Sequence, residues 1–123
     1  MVKLIWEPSG VVRKFSGRVI DVDLERSAIA IQADPGFDRL RYVIHDFLDC
    51  TELAVSPNTI EEVLARASVA TSRHPEFRSA FVGNLPELRN MVGDFERMAM
   101  FPHPFRLFGT LEEARAFVAG VCR

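Results

Sequence analysis

The sequence predicts an α/β protein in the order β-β-α-β-α-β-α-β-α, with a mostly parallel sheet and an amino-terminal hairpin. Three observations carry that prediction. Short apolar runs of strand length alternate with segments whose apolar residues recur at helical spacing, the pattern of parallel strands joined by crossover helices. Helical segments open on capping signals: Asn58 before Glu61, Thr59 before Glu62, Asn84 before Glu87 and Thr110 before Glu113. The run 42–48 carries apolar residues at both parities (Tyr42, Val43, Ile44, Phe47, Leu48), as a strand covered on both faces does. That run is the expected central strand.

The elements follow in chain order. Val2–Trp6 alternates weakly, Glu7-Pro8-Ser9-Gly10 reads as a turn, and residues 11–15 form a second β-rich run, so the pair reads as a hairpin. After Ser16 and Gly17 the period changes. Ile20, Leu24, Ala28 and Ile31 fall at helical spacing, predicting a helix over Asp21–Ala33 that Asp34-Pro35-Gly36 stops. The central strand leads to a helix over 57–72, with Ile60, Val63, Leu64 and Ala67 as its stripe and Pro57 in its first turn. Residues 77–82 are the fourth strand. Gly83-Asn84 then opens a third helix with the stripe Leu88, Met91, Val92, Phe95 and Met98. Phe101-Pro102-His103-Pro104-Phe105 reads as an extended linker, because each proline fixes its own φ and restrains the residue before it. Phe105–Phe108 is the fifth strand, and Thr110 caps a last helix with the stripe Leu111, Ala114, Phe117, Val118 and Val121.

The third to fifth strands are expected to pair in parallel, with the first antiparallel at the edge. Residues 49–56, 83–84 and 109–110 then share the carboxyl edge of the sheet, where α/β proteins collect their ligands and contacts. His74 and His103 precede their strands and fall at the opposite edge.

At 123 residues the chain is expected to be a single domain, residues 1–123, with one substantial core. Hydrophobic residues at 48% and charged residues at 26% suit a globular protein rather than a disordered one. A net charge of −2 and the lack of a Lys/Arg cluster argue against nucleic acid as a partner. No apolar run reaches the roughly 20 residues of a membrane span. The start, Met1 to Pro8, is too soon interrupted for a signal peptide, so a cytoplasmic location is expected. Cys50 and Cys122 have no motif spacing and are read as free thiols.

In this order of elements the chain resembles the STAS-like proteins of the SpoIIAA type, the fold of bacterial anti-anti-sigma factors. It is most similar to a SpoIIAA-like group linked with lipid-binding SEC14-type domains. The resemblance runs from Val11-Val12-Arg13-Lys14-Phe15-Ser16-Gly17 onward. It is carried by Val43-Ile44-His45-Asp46-Phe47, Phe81-Val82-Gly83-Asn84 and the ending from Phe105 to Val118. It implies a non-enzymatic regulatory module that works by protein contact. The anti-anti-sigma factors carry an Asp-Ser-Ser-Gly-type segment, phosphorylated on serine, after the central strand. Here that region reads Asp49-Cys50-Thr51-Glu52-Leu53-Ala54-Val55-Ser56-Pro57, with no Ser-Gly pair, so the phosphorylation switch is not carried over. Thr51 and Ser56 are the nearby hydroxyls.

Several residues suggest chemistry, and each has a plainer account. Asp46, Asp49 and Glu52 are the carboxylates that acid–base work or a hard cation needs. No nucleophile, glycine-rich loop or second acidic motif accompanies them, so solvated loop charges and a buried-edge acceptor are the expected reading. His45, His74 and His103 belong to no short paired motif, and no metal site is expected. Cys50 lies several residues ahead of the nearest helix start and is read as an inert thiol. Ser56, Asn58, Thr59, Asn84 and Thr110 are read as helix caps before phosphate ligands. Of the ten phenylalanines most must be core, but Met91, Phe95, Met98, Met100, Phe101, Phe105 and Phe108 form a dense soft and aromatic stretch.

The expectation is a binding module without cofactor, in contact with a protein partner or a second copy of itself. The expected contact residues are Asp49, Cys50, Thr51, Ser56, Asn58, Glu62, Arg66 and Asn84, with Glu61 on the same helix. The alternative is a carrier or sensor of a small hydrophobic, lipid-like ligand, lined by Met91, Phe95, Met98 and Phe105. It requires a cavity on the order of several hundred Å³ beside the third helix.

Overall fold

The computed structural model of the protein describes residues 1–72, 74, 76–98 and 103–120. Among these, strands β1 (Val2–Trp6), β2 (Gly10–Ile20), β3 (Tyr42–Ala54), β4 (Arg78–Val82) and β5 (Phe105–Phe108) form one sheet in sequential order. The β1/β2 pair is antiparallel and every other pair is parallel. The helices are α1 (Asp21–Ala33), α2 (Pro57–Thr71), α3 (Pro86–Met98) and α4 (Leu111–Val118), with a 3₁₀ turn at Pro35–Arg39.

The sequential order decides the layers. Three right-handed crossovers that step the same way place their helices on one face of the sheet. Leu24 of α1, Leu64 of α2 and Leu88, Met91, Val92 and Phe95 of α3 accordingly share a core with Phe15, Phe47 and Phe81 of the strands. Phe15 and Phe47 stack there with ring centroids 4.2 Å apart. The last helix closes the opposite face, where Ala114 and Phe117 pack on Val12, Ile44, Ala80, Val82 and Phe108. Val11 and Val12 are both buried because β2 has layers on each side. Glu7, in the hairpin turn, receives a bidentate Arg115 pair from α4 at 2.6 and 2.7 Å and the Tyr42 hydroxyl, which ties the turn to the far layer.

Strands β2 and β3 both run longer than their apolar runs predict. Instead of ending at Phe15 and Leu48 they continue, paired with each other alone, to Ile20 and Ala54. Two register shifts lie in this extension, each placing one extra residue on β3. Phe47, Cys50 and Leu53 therefore all face the core at a spacing of three instead of two. Gly17, which adjoins the second shift, has φ +66°, a conformation that favours glycine. Of the segment 49–56, expected to lie beyond the strand at the carboxyl edge, residues 49–54 are thus strand.

Of the residues expected as caps, Ser56 and Thr110 serve as such, while Asn58, Thr59 and Asn84 do not. Ser56 caps α2, accepting from the Thr59 amide at 3.3 Å, so Asn58 and Thr59 lie within the helix. Helix α3 starts at Pro86, and the Arg89 amide donates to the Leu85 carbonyl, which leaves Asn84 ahead of the cap position. Thr110 does cap α4, accepting from the Glu113 amide at 3.2 Å. Val121 of the expected α4 stripe, Cys122, Met100 of the soft and aromatic stretch, and Phe101 and Pro102 of the expected linker lie outside the described residues.

Candidate functional site

The polar edge foreseen for contact divides into exposed and engaged groups. Asp49, Thr51, Asn58, Glu61, Glu62, Arg66 and Asn84 are exposed. Glu62 and Arg66 lie four residues apart on the outer face of α2, so they project side by side. Asn84 stands at the carboxyl end of β4, beside Gly109 at the end of β5. Ser56 is committed internally. Its amide and hydroxyl donate to Asp21 at 2.7 and 3.1 Å, joining the starts of α1 and α2. These bonds, the backbone one foremost, hold the Asp21 carboxyl below its ordinary range.

Cys50 is not a contact residue. The second bulge turns it inward, 6% exposed, with its thiol toward the Glu52 carbonyl, and burial pushes its pKa up. Nor do the three carboxylates converge. Asp46 is buried and accepts the Leu48 amide at 2.9 Å, Asp49 pairs with Lys14 at 3.4 Å, and Glu52 pairs with Arg18 at 3.3 Å. The bulges that re-phase β3 also separate these side chains.

A second set of polar groups lies inside, between the sheet and α1 to α3. Arg13 on β2 is 5% exposed. Its Nε donates to Ser27 Oγ at 2.8 Å, its Nη2 to the Leu24 carbonyl at 2.7 Å, and its Nη1 to His45 Nδ1 at 3.3 Å. A guanidinium only donates, so His45 Nδ1 accepts and the neutral ring carries its proton on Nε2. Burial, with the Arg13 charge adding to it, holds the His45 pKa well below the usual range. Burial also draws the Arg13 pKa down to about 9, which leaves it charged at pH 7. At the amino edge His103 is 4% exposed, with Nδ1 3.3 Å from Thr71 Oγ1 and Nε2 3.1 Å from Ser79 Oγ, and its pKa falls by burial to about 4.

Arg13, His45, Ser79, Thr71 and His103 line one largely apolar cavity of about 90 Å³. Met91 and Phe95 border it, as the alternative reading expected, but Met98 and Phe105 do not. Met98 projects outward, 40% exposed, while Phe105 packs against the neighbouring core. The cavity is too small for an acyl chain: an engineered apolar cavity of about 150 Å³ holds a ligand the size of benzene. Arg13 was not foreseen in the sequence as a site residue, although its parity with Val11 and Phe15 places it on the inward side of the strand. Among the described residues, no group of three or more His, Cys, Asp or Glu side chains is arranged to hold a metal ion. No helix among them is long and apolar enough to cross a membrane.

Comparison of the whole architecture with solved structures gives full-length matches. One is the anti-sigma factor antagonist SpoIIAA in its unphosphorylated form, at TM-score 0.66 and 16% identity, covering 98% of this chain and 99% of that one. The fold is SpoIIAA-like. The Bacillus cell fate determinant SpoIIAA in its phosphorylated form matches at TM-score 0.63 and 18% identity, over 96% of this chain and 99% of that one. An uncharacterised protein of the DUF3478 family with a SpoIIAA-like fold, from Shewanella loihica PV-4, matches at TM-score 0.56 and 18% identity over 96% and 92%. No family model and no curated relative matches the sequence.

Proposed function

We propose that this protein is a non-enzymatic binding module of the SpoIIAA-like kind, acting in the cytoplasm by contact with a protein partner or a second copy of itself. The contact surface is the outer face of α2 with the exposed side of the β2/β3 extension: Asp49, Thr51, Asn58, Glu62 and Arg66, flanked by Asn84. One observation carries this reading. Among the described residues no hydrogen bond or ion pair engages the side chains of Thr51, Asn58, Glu61, Glu62 or Arg66, although all five are exposed. Side chains held out in this way fit the polar, charged rim of a transient interface. Likeness in fold to the anti-sigma factor antagonist SpoIIAA supports the same class of action.

The test is charge reversal. Glu62→Lys and Arg66→Glu leave stability within about 0.5 kcal/mol, because exposed substitutions touch no packing. Each removes a defined partner identified by cross-linking in the host, or lowers the dimer fraction measured by light scattering. Variants that keep the same partners and the same mass in solution refute the proposal.

A further inference from the structure

The interior of the α1–α3 layer contains a cation without a counter-charge. Every aspartate and glutamate of the chain is among the described residues, and none forms an ion pair with Arg13. The Phe15 ring, 5.0 Å from the guanidinium carbon, offers a π face but no negative charge. A buried charge without a partner is costly, and interiors ordinarily pair it or coordinate it. Arg13 also borders the 90 Å³ cavity.

The donors on that wall are specific. Three of the five N–H groups of Arg13 are spent on Ser27, Leu24 and His45, which leaves one on each terminal nitrogen. His45 accepts through Nδ1, so its Nε2–H is a further donor, and among the described residues it has no acceptor. Two adjacent side chains thus present N–H groups and positive charge to a space whose remaining wall is mostly apolar, Leu24, Ile31, Phe47, Leu64, Met91 and Phe95 among it, with Gln32, Thr71, Ser79 and His103 as its other polar members.

We propose that this cavity binds a small organic anion, a monocarboxylate of about four to six heavy atoms, by its fit to a space smaller than one that holds benzene. Its carboxylate lies on Arg13 and His45 and its hydrocarbon part among the apolar side chains. Inorganic phosphate fits poorly, since its several charged oxygens would meet hydrocarbon on most sides. A lipid is excluded by volume. This binding is independent of the contact surface on α2, so either inference can fail alone.

The experiment is calorimetric titration of the full chain at pH 7 with butyrate, its neutral isostere butanamide, and inorganic phosphate. Saturable one-to-one binding of butyrate is expected, with butanamide and phosphate at least about tenfold weaker because the charge-assisted bonds or the apolar fit is lost. The series from acetate to octanoate should gain affinity with length, then lose it once the cavity is full. Arg13→Gln should abolish butyrate binding while circular dichroism reports a folded chain. Should Arg13→Gln not fold, Ala67→Leu, which fills the cavity from α2 and keeps Arg13, must shorten the longest acid bound. No saturation by any acid at tens of millimolar overturns the proposal. So does equal binding of butanamide, undiminished binding of octanoate, or unchanged affinity in either folded variant.

Discussion

Protonation of His103 should make this fold sensitive to mild acid, by an amount that follows from its surroundings. The ring is 4% exposed, lies between the Thr71 and Ser79 hydroxyls, and meets the Phe77 ring edge-on with centroids 4.8 Å apart. Burial holds its pKa at about 4 against an ordinary 6.5. Between those values the unfolded chain binds a proton that the folded chain refuses, so stability falls as pH falls. The neutral histidine's contribution is complete above pH 6.5 and is lost progressively toward pH 4. A difference of about 2.5 pH units at about 1.4 kcal/mol each gives about 3.5 kcal/mol in full, of which about 3 kcal/mol is lost by pH 4, a large part of a domain's stability. The assay is urea unfolding at pH 7, 6, 5 and 4 for the wild type and His103→Gln. The variant lacks the titrating group, so it should lose about 3 kcal/mol less across that range; the His103 charge is also the smallest of the three causes that lower the His45 pKa, so the His45 contribution shifts slightly in the same variant. Parallel curves would refute the assignment of a buried neutral imidazole.

Two further substitutions test the backbone of the site. Gly83→Ala should cost about 1–3 kcal/mol in a urea midpoint, since an added Cβ would lie 2.6 Å from Leu88 Cδ2 and 3.1 Å from Phe47 Cβ in a filled core. Ser56→Ala should cost about 1 kcal/mol through loss of the α2 cap. It should also raise the Asp21 pKa toward its ordinary value in an NMR titration, because the Ser56 hydroxyl bond that helps to depress it is gone.

Much of the fold was legible because periodicity is local. Helix α1 and strands β1 and β5 fall where their patterns place them, and Thr110 caps α4 as its spacing with Glu113 implies. The extension of β2 and β3 was not legible. Its inward residues Phe47, Cys50 and Leu53 recur every three positions, a spacing that belongs to no regular strand and arises only from two bulges against β2. The same cause put Cys50 among the expected contact residues. At the start of α2 several hydroxyl and amide residues compete within four positions, and at α3 the cap position falls on Leu85 one residue after Asn84; in both, the choice depends on where the preceding strand delivers the chain. For Ser56 the selection also involves Asp21, a residue 35 positions away in sequence.

The sequence by itself determined the element order, the parallel character of the sheet and the polar outer face of α2, because these follow from residue spacing along one segment at a time. Tertiary structure alone decided which polar groups share an interior. Arg13, His45, Ser79 and His103 sit on four different strands or their approaches, and only the parallel register of β2, β3, β4 and β5 brings them to one cavity. Spacing along a chain carries no information about which strand lies beside which. The unpaired charge of Arg13 therefore becomes visible only when the carboxylates of the whole chain have been placed around it.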